Sequence, residues 1–378
     1  MARNGILIIL ITLLNCAGKK DQVDSTPTVS RSIEVVASQV DIDSIKINLD
    51  TYSRVGRFAI LNDKLAFLDQ IFQTITFIDT NFNIQGVYAG RGIGPNEVDN
   101  VHFTTDLGNS SYLVIDNFGF HEFLNDSTKK YFKLFDWDIQ TPLNELLAKP
   151  NGEQKGIYSI DWSPSTNSNF VSYRNGHLFL PIITEHPELN AFQHKTFYNE
   201  TYSIGKFRKT DGKLVEMGAN WSPSYRQFNF IPNLVGIDIT NSSEGLIITN
   251  HIDSLMSVYD DDLQLIGRFG VNGEGFDIDY QETRTVDEAI DNWDSDLENQ
   301  SFYSSVFAHQ KLAFRVYHPK GKQGPTRVQV YEDKILTHDA QVPHRFRVIG
   351  KIGEYFYADG QVNEFDDIPF IYRFKLNE

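Results

Sequence analysis

The chain has 378 residues, of which 40% are apolar and 13% aromatic, led by 28 Phe and 17 Tyr; flat side chains in this proportion favour half-buried strands. A formal charge of −16 and a pI near 5.0 exclude nucleic acid, which requires a basic stripe, and argue against a polybasic membrane-surface mode. The lone cysteine, Cys16, excludes a disulfide framework and a thiolate metal cluster.

At the start of the chain, Arg3 precedes an apolar run from Ile6 to Leu14. This run is short for a bilayer span but has the length of a signal-peptide core. Its ending, Leu13-Leu14-Asn15-Cys16, resembles a bacterial lipobox. The resemblance implies a signal peptide over residues 1–15 and a lipidated Cys16 at the mature N-terminus. The protein would then be held to the membrane through its N-terminal lipid. Ala17 stands where an inner-membrane retention signal would place Asp, so the expected location is the outer membrane, periplasmic or surface-facing. Residues 16–32 read as a tether, because Lys19–Ser30 is polar with little to bury. The folded unit is expected over 33–378.

Two strand candidates, Ser32–Val36 and Ser44–Leu49, come next without a hairpin partner. A recurring element then begins, a short apolar strand entered by a polar turn. Its copies are Lys64–Asp69, Ser111–Asp116, Gly176–Pro181, Gly245–Asn250, Lys311–Val316 and Glu354–Asp359, starting 43 to 69 residues apart. Each is followed by a second strand candidate: Gln73–Ile78, Phe118–Leu124, Thr201–Arg208, Ser254–Tyr259, Thr326–Tyr331 and Phe370–Leu376. Along Gln73–Ile78 the period is close to two, with Thr74 and Thr76 expected outward and Ile75 and Phe77 inward. Asp79-Thr-Asn81, Thr210-Asp-Gly212 and Asp260-Asp-Asp262 are hairpin turn clusters.

Six copies of a four-strand unit predict an all-β fold, a six-bladed β-propeller. The sixth copy runs out before its fourth strand. The stranded segment Ile33–Leu49 can supply it, closing the ring and removing two open sheet edges. Two insertions are expected as loops on one rim. Asp138–Pro150 contains Thr141-Pro142-Leu143 with helix-start chemistry, and Asp279–Asn299 is acidic and carries Trp293.

The first unit ends in Gly90-Arg-Gly92-Ile-Gly94-Pro95-Asn-Glu97 after Leu65–Asp69 and Ile75–Asp79, and Gly267–Phe276 partly repeats it. This pattern resembles the NHL-type propeller repeat. With the lipobox, the chain looks like the TolB-like six-bladed propeller lipoproteins of Gram-negative bacteria, a group largely of unknown function. The resemblance implies the fold and leaves the activity open.

No motif specifies catalysis or a cofactor. The Gly90–Gly94 run lacks the following helix that phosphate binding needs, and Glu97 and Asp99 would repel phosphate. Its glycines serve chain geometry instead. There is no G-x-S-x-G and no H-E-x-x-H, so no catalytic residue and no metal ligand is assigned. Thr184–Glu188 reads as a rim loop, and the Asp291–Glu298 run as a solvated acidic loop without calcium-loop spacing.

The most informative set is positional. Asp69-Gln70, Asp116-Asn117, Asn250-His251 and Asp359-Gly360 end equivalent strands, so a ring of them is expected at one face of the disc, near the channel mouth. Convergent polar groups in a concave mouth bind ligands; the competing role is turn capping by each Asx side chain. Trp137, Trp162, Trp221 and Trp293 lie in insertions and either pave a carbohydrate- or peptide-binding rim or plug the core. The expected function is a lipid-anchored envelope module that binds a ligand or an envelope protein. The alternatives are a hydrolase or lyase, glycan-directed, with its site in the channel mouth, and a structural partner of an outer-membrane complex.

Overall fold

The structure, a computed structural model, describes residues 28–29, 41–49, 52–53, 55–125, 128–162, 171–192, 196–228, 231–360 and 369–376. Cys16, the apolar run before it and the strand candidate Ser32–Val36 lie outside the described residues. Six antiparallel sheets follow one another along the chain. Blade 1 is Gly56–Leu61, Lys64–Asp69, Thr74–Ile78 and Ile84–Ala89; blade 2 is Phe103–Gly108, Ser111–Ile115, Gly119–Leu124 and Thr128–Leu134. Blade 3 has an interrupted first strand, Tyr158–Ile160 then Ser172–Arg174, before His177–Thr184, Tyr202–Arg208 and Leu214–Asn220. Blade 4 is Ile237–Asn241, Leu246–Asn250, Met256–Tyr259 and Leu265–Phe269, and blade 5 is Phe302–His309, Leu312–His318, Thr326–Glu332 and Ile335–Val342. Blade 6 is Arg347–Ile352, Tyr355–Asp359 and Phe370–Phe374.

The first strands neighbour one another around a complete cycle, blade 1 to blade 6 and back to blade 1. They therefore line the central channel of a six-bladed β-propeller. The expected closure is present. Ile42–Lys46 pairs antiparallel with Phe370–Phe374, Ile45 opposite Ile371, and supplies the outermost strand of blade 6. Upstream, Thr28–Val29 runs parallel to the outer strand of blade 4, opposite Arg268 and Phe269.

Because each sheet is sandwiched between two others, both faces of its inner strands are covered. All five residues of Ser111–Ile115 and of Leu246–Asn250 are buried. This corrects the expected alternation in blade 1, where Thr76 is buried along with Ile75 and Phe77. Period-two exposure is clearest at the rim, as in Thr128–Leu134, and returns in part on the channel-lining strand Gly56–Leu61. The core is accordingly divided among the blade interfaces. Leu68, Phe77, Tyr112 and Phe123 meet between blades 1 and 2, and Phe314, Val330, Phe356 and Phe374 between blades 5 and 6. Burying such a side chain contributes roughly 1.5–3 kcal/mol.

Polar side chains tie neighbouring blades at the channel wall. Val306 N–H donates to Asp238 Oδ2 (2.8 Å) and Ala308 N–H to Thr240 Oγ1 (3.2 Å), joining blades 5 and 4. Arg315, fully buried, donates from blade 5 to Thr249 Oγ1 (2.8 Å) and Ser254 O (2.7 Å) of blade 4 and lies 3.3 Å from the Tyr303 ring centroid. The glycine-rich loop serves geometry: Gly90 has φ +135°, and the Glu97 carboxylate accepts from Gly94 N–H at 2.8 Å. Lys129 of blade 2 donates to Gly94 O (3.0 Å) and Glu97 O (2.5 Å), fastening the loop to the next blade.

The long connections leave the end of a second or fourth strand, so they gather on one face of the disc. Thr141–Leu147 forms the expected short helix over Leu143–Ala148, with Pro142 rather than Thr141 at its N-cap and no side-chain cap bond. The acidic insertion differs from expectation. It is a 14-residue helix, Val286–Asn299, with Ala289, Asp296 and Leu297 buried. Its start is capped from both sides: Thr285 Oγ1 accepts from Glu288 N–H (3.1 Å), and Glu288 Oε2 accepts from the N–H of Arg284, the residue before the N-cap (2.8 Å). No helix among the described residues is long and apolar enough to cross a membrane.

Ring closure generates a direct prediction. Ile47, just past the closing strand, is fully buried with Phe58, Phe67, Tyr357 and Ile371, and its N–H donates to Pro369 O at 2.8 Å. Ile47→Ala should cost about 2–4 kcal/mol by emptying the seam between the two chain ends. A urea unfolding midpoint unchanged from wild type would contradict this.

Candidate ligand site at the channel mouth

The strand-end residues named from the sequence lie on the insertion-bearing face, each at the close of a second strand. Asp69 is almost wholly buried and its oxygens accept from Ser53 N–H (2.6 Å), Ser53 Oγ–H (2.7 Å), Ile71 N–H (3.0 Å) and Phe72 N–H (2.7 Å). Gln70 contributes its carbonyl, which accepts from Gln73 Nε2 at 2.5 Å. Asp116 accepts from Phe118 and Gly119 N–H (both 2.8 Å) and faces His121 Nε2 at 2.8 Å. These contacts hold its carboxyl below the usual range against the opposing effect of burial, which is the largest influence. In these two blades the carboxylates stabilise their own turns.

Asn117 and Asp359 take part in a different arrangement. Asp359 Oδ2 is 2.7 Å from an Arg347 terminal nitrogen and accepts from Phe58 N–H (3.2 Å), linking blade 6 to blade 1. Arg57, in the first strand of blade 1, lies with its guanidinium carbon 5.0 Å from the Phe103 ring centroid of blade 2. It is also within electrostatic range of Arg347 and Asp359 in blade 6. Blades 2 and 6 flank blade 1 on opposite sides, so a side chain near both must lie along its inner edge, at the channel. Arg57 is half-buried and makes no hydrogen bond or ion pair among the described residues. Burial pushes its pKa down, the Arg347 charge lowers it further, and Asp359 only partly offsets this.

The blade 2 side of the mouth is aromatic. His102 Nε2 is 2.6 Å from Asn117 Oδ1, and burial, opposed by this bond and reinforced by Arg57, lowers its pKa. The imidazole is therefore neutral at pH 7. Trp162 lies 4.6 Å from the His102 ring and parallel to Phe103 at 5.6 Å and 5°. It stands just after Ile160, where the first strand of blade 3 breaks off, and the free side of that strand is the channel. Ile71, Phe72 and Phe118, in the turns after the second strands of blades 1 and 2, are exposed on the same face. Arg57, His102, Trp162 and Arg347 were not singled out from the sequence. The available signal was a cation inside an otherwise apolar strand, as in Gly56-Arg-Phe-Ala-Ile-Leu61.

Asn250 and His251 lie elsewhere, beneath the insertions over blades 3 to 5. His251 is fully buried, packed 5.8 Å from Phe302, whose ring also stacks on His318 at 4.7 Å. A Cβ at Gly236 would come within 2.2 Å of the His251 ring. Burial, with the positive charges of Lys322 and His318, pushes His251 down to about 3; burial, with Lys322 and His344, does the same to His318. Of the tryptophans, Trp221 is buried and donates to Thr201 Oγ1 (3.0 Å), while Trp293, Trp137 and Trp162 pack partly buried on the core, Trp162 against His102 and Phe103. Thr184 closes its strand, and His186 Nδ1 accepts from Glu188 N–H at 3.0 Å. No group of three or more potential metal ligands occurs among the described residues.

The fold and mouth define a six-bladed propeller with a cationic and aromatic channel opening. Two solved structures share that fold. One is a member of the DUF4221 family from Bacteroides vulgatus, with a TM-score of 0.62 and 13% identity, covering 91% of this chain and 98% of that one. The other is a candidate exported protein from Bacteroides fragilis, with a TM-score of 0.54 and 12% identity, covering 93% and 99%. No protein-family model and no curated protein matches the chain.

Two outcomes follow from this geometry. Asp359 and Arg347 are almost completely inaccessible, so Asp359→Ala leaves two neighbouring guanidinium groups without their carboxylate. A loss of about 3–5 kcal/mol in urea unfolding is expected, and a loss near that of a surface substitution would contradict the pairing. For His251 and His318, the unfolded chain binds protons near pH 6.5 but the folded chain only near 3. Their stabilising contribution is complete above about pH 6.5 and is lost as pH falls, roughly 1.4 kcal/mol per unit for each ring. Unfolding free energy measured between about pH 7 and 5 should decline, and His251→Leu should make that decline shallower, an unchanged slope contradicting the burial of a neutral ring.

Proposed function

We propose that this protein is a lipid-anchored propeller of the bacterial cell envelope that binds a ligand at its channel mouth. The observation that carries the reading is Arg57, a guanidinium with no hydrogen bond or ion pair among the described residues, set in a mouth walled by His102, Trp162 and Phe103. A half-buried guanidinium with only an aromatic contact and no hydrogen bond or ion pair among the described residues keeps its donors available to a ligand. Binding is favoured over hydrolysis or elimination because the mouth carboxylates are already committed. Asp69 holds backbone and Ser53 donors, Asp116 holds its turn and His121, and Asp359 holds Arg347. These three carboxylates are therefore engaged in structural contacts.

The anchoring part of the reading is supported by Leu13-Leu14-Asn15-Cys16 and by the likeness in fold to a candidate exported protein. Acyl chains on Cys16 would supply about 0.8 kcal/mol per buried CH₂, and the expected destination is the outer membrane. Both parts are open to test in the native host. Cells labelled with an alkyne fatty acid should show acylated wild-type protein and no label on Cys16→Ser, and equal labelling would refute anchoring. Full-length protein in detergent, applied to arrays of envelope glycans and peptides, should give signals that Trp162→Ala abolishes. Signals indifferent to Trp162 would place the binding surface outside the mouth.

A further inference from the structure

The insertion layer over blades 4 and 5 closes on two imidazoles that are poorly placed to take a second proton. His251 follows the second strand of blade 4 and His318 ends that of blade 5, and both rings pack on Phe302, at 5.8 and 4.7 Å. Neither nitrogen of His251, nor Nδ1 of His318, makes a hydrogen bond among the described residues. Lys322 lies within electrostatic range of both rings, His318 within range of His251, and His344, beside Arg345, within range of His318; the Leu234 carbonyl is the one group set to favour a proton on His251. Arg315 holds the Asp253 and Ser254 carbonyls just beyond His251. The nearby carboxylates are engaged elsewhere. Asp253 accepts from Ser222 Oγ–H and Leu255 N–H, Asp294 and Glu298 face Lys322, and Asp296 accepts from Asn233 and Gln300. A proton added to either ring would be a buried charge among like charges.

One helix is fastened to the covers of both rings. Gly236 lies so close to His251 that a side chain there would overlap the imidazole. The turn before it, Pro232–Leu234, sends Asn233 Nδ2 to Ala289 O (2.9 Å) and Asp296 Oδ2 (2.8 Å) of the helix Val286–Asn299. At the helix C-terminus, the Leu297 and Glu298 carbonyls accept from Lys322 and Gln323 N–H (2.9 and 3.1 Å), in the connection that follows His318. We propose that this helix and the Pro232–Gly236 turn form an acid-released cap, which lifts from blades 4 and 5 when His251 and His318 take up protons while the six sheets stay intact. The opening is local because both rings sit at strand ends, outside the sheets that hold the ring of blades together. It withdraws Leu297 from the aromatic cluster of Tyr225, Tyr280 and Phe302 and leaves that cluster exposed. Closed, burial holds both rings well below the ordinary histidine range; open, they titrate near 6.5. Opening is therefore favoured as pH falls below about 6.5, by up to about ten-fold per pH unit for each ring.

The test is hydrogen–deuterium exchange of the full chain in detergent at pH 7 and pH 5, each corrected for the intrinsic exchange rate at that pH. Protection of Val286–Asn299 and of the Pro232–Gly236 turn should fall about ten-fold or more between the two. That of the buried blade 2 strand Ser111–Ile115 should stay unchanged. His251→Gln and His318→Gln should each reduce the change and together abolish it, and His318→Lys, with a fixed charge, should open the cap at pH 7. The wild-type comparison stands without any variant: cap and blade 2 strand losing protection together, or a cap equally protected at both pH values, would overturn the proposal. So would a response that persists in the double histidine variant, or one that Asp296→Asn removes while the histidine variants keep it.

Discussion

The pairing of Ile42–Lys46 with Phe370–Phe374 is the contact on which the rest depends. A ring of sheets has no free face: each blade is stable because two others cover it, and the cycle completes only when the two ends of the chain meet. The seam is reinforced where Ile47 and Leu49 enter the apolar interface with Phe58, Leu65 and Tyr357. Asp359 then takes the Phe58 N–H of blade 1 from its position in blade 6. Closure also removes the two sheet edges that an open array would present for aggregation.

The same closure creates the mouth. Arg57 and Arg347 belong to the first and last blades, 290 residues apart by number, and meet only because the ring is sealed between them. Asp359 has two roles at once: it pairs with Arg347 and ties the seam through the Phe58 N–H. Blade 3 contributes from the far side by interrupting its first strand, which brings Trp162 to the rings of His102 and Phe103.

The insertions make the two faces of the disc unlike. On one face the strands are joined by tight turns; on the other, Val286–Asn299 and the segments carrying Trp221, Tyr225 and Tyr280 build an apolar layer over blades 3 to 5. This layer buries His251 and His318 as neutral rings around Phe302. The turns after the second strands of blades 1 and 2 are short and leave Ile71, Phe72 and Phe118 exposed.

By itself the sequence determined the blade count, the second and third strands of each blade, and the need for an N-terminal closing strand. These follow from local chemistry: apolar runs of fixed length, hairpin turn residues, and an unfinished last unit. The turn chemistry of Asp69 and Asp116 was equally local, since an Asx side chain bonds to the backbone two or three residues on. The helix at Val286–Asn299 was also written locally, in Thr285 and Glu288, but its acidic surface hid an apolar stripe that includes Ala289 and Leu297. Only the tertiary structure decided that Thr76 is buried, because that depends on the neighbouring blade rather than on the strand's own alternation. It alone set Arg57, His102, Trp162 and Arg347 on neighbouring blades, since nothing along the chain records which side chains a closed ring brings face to face.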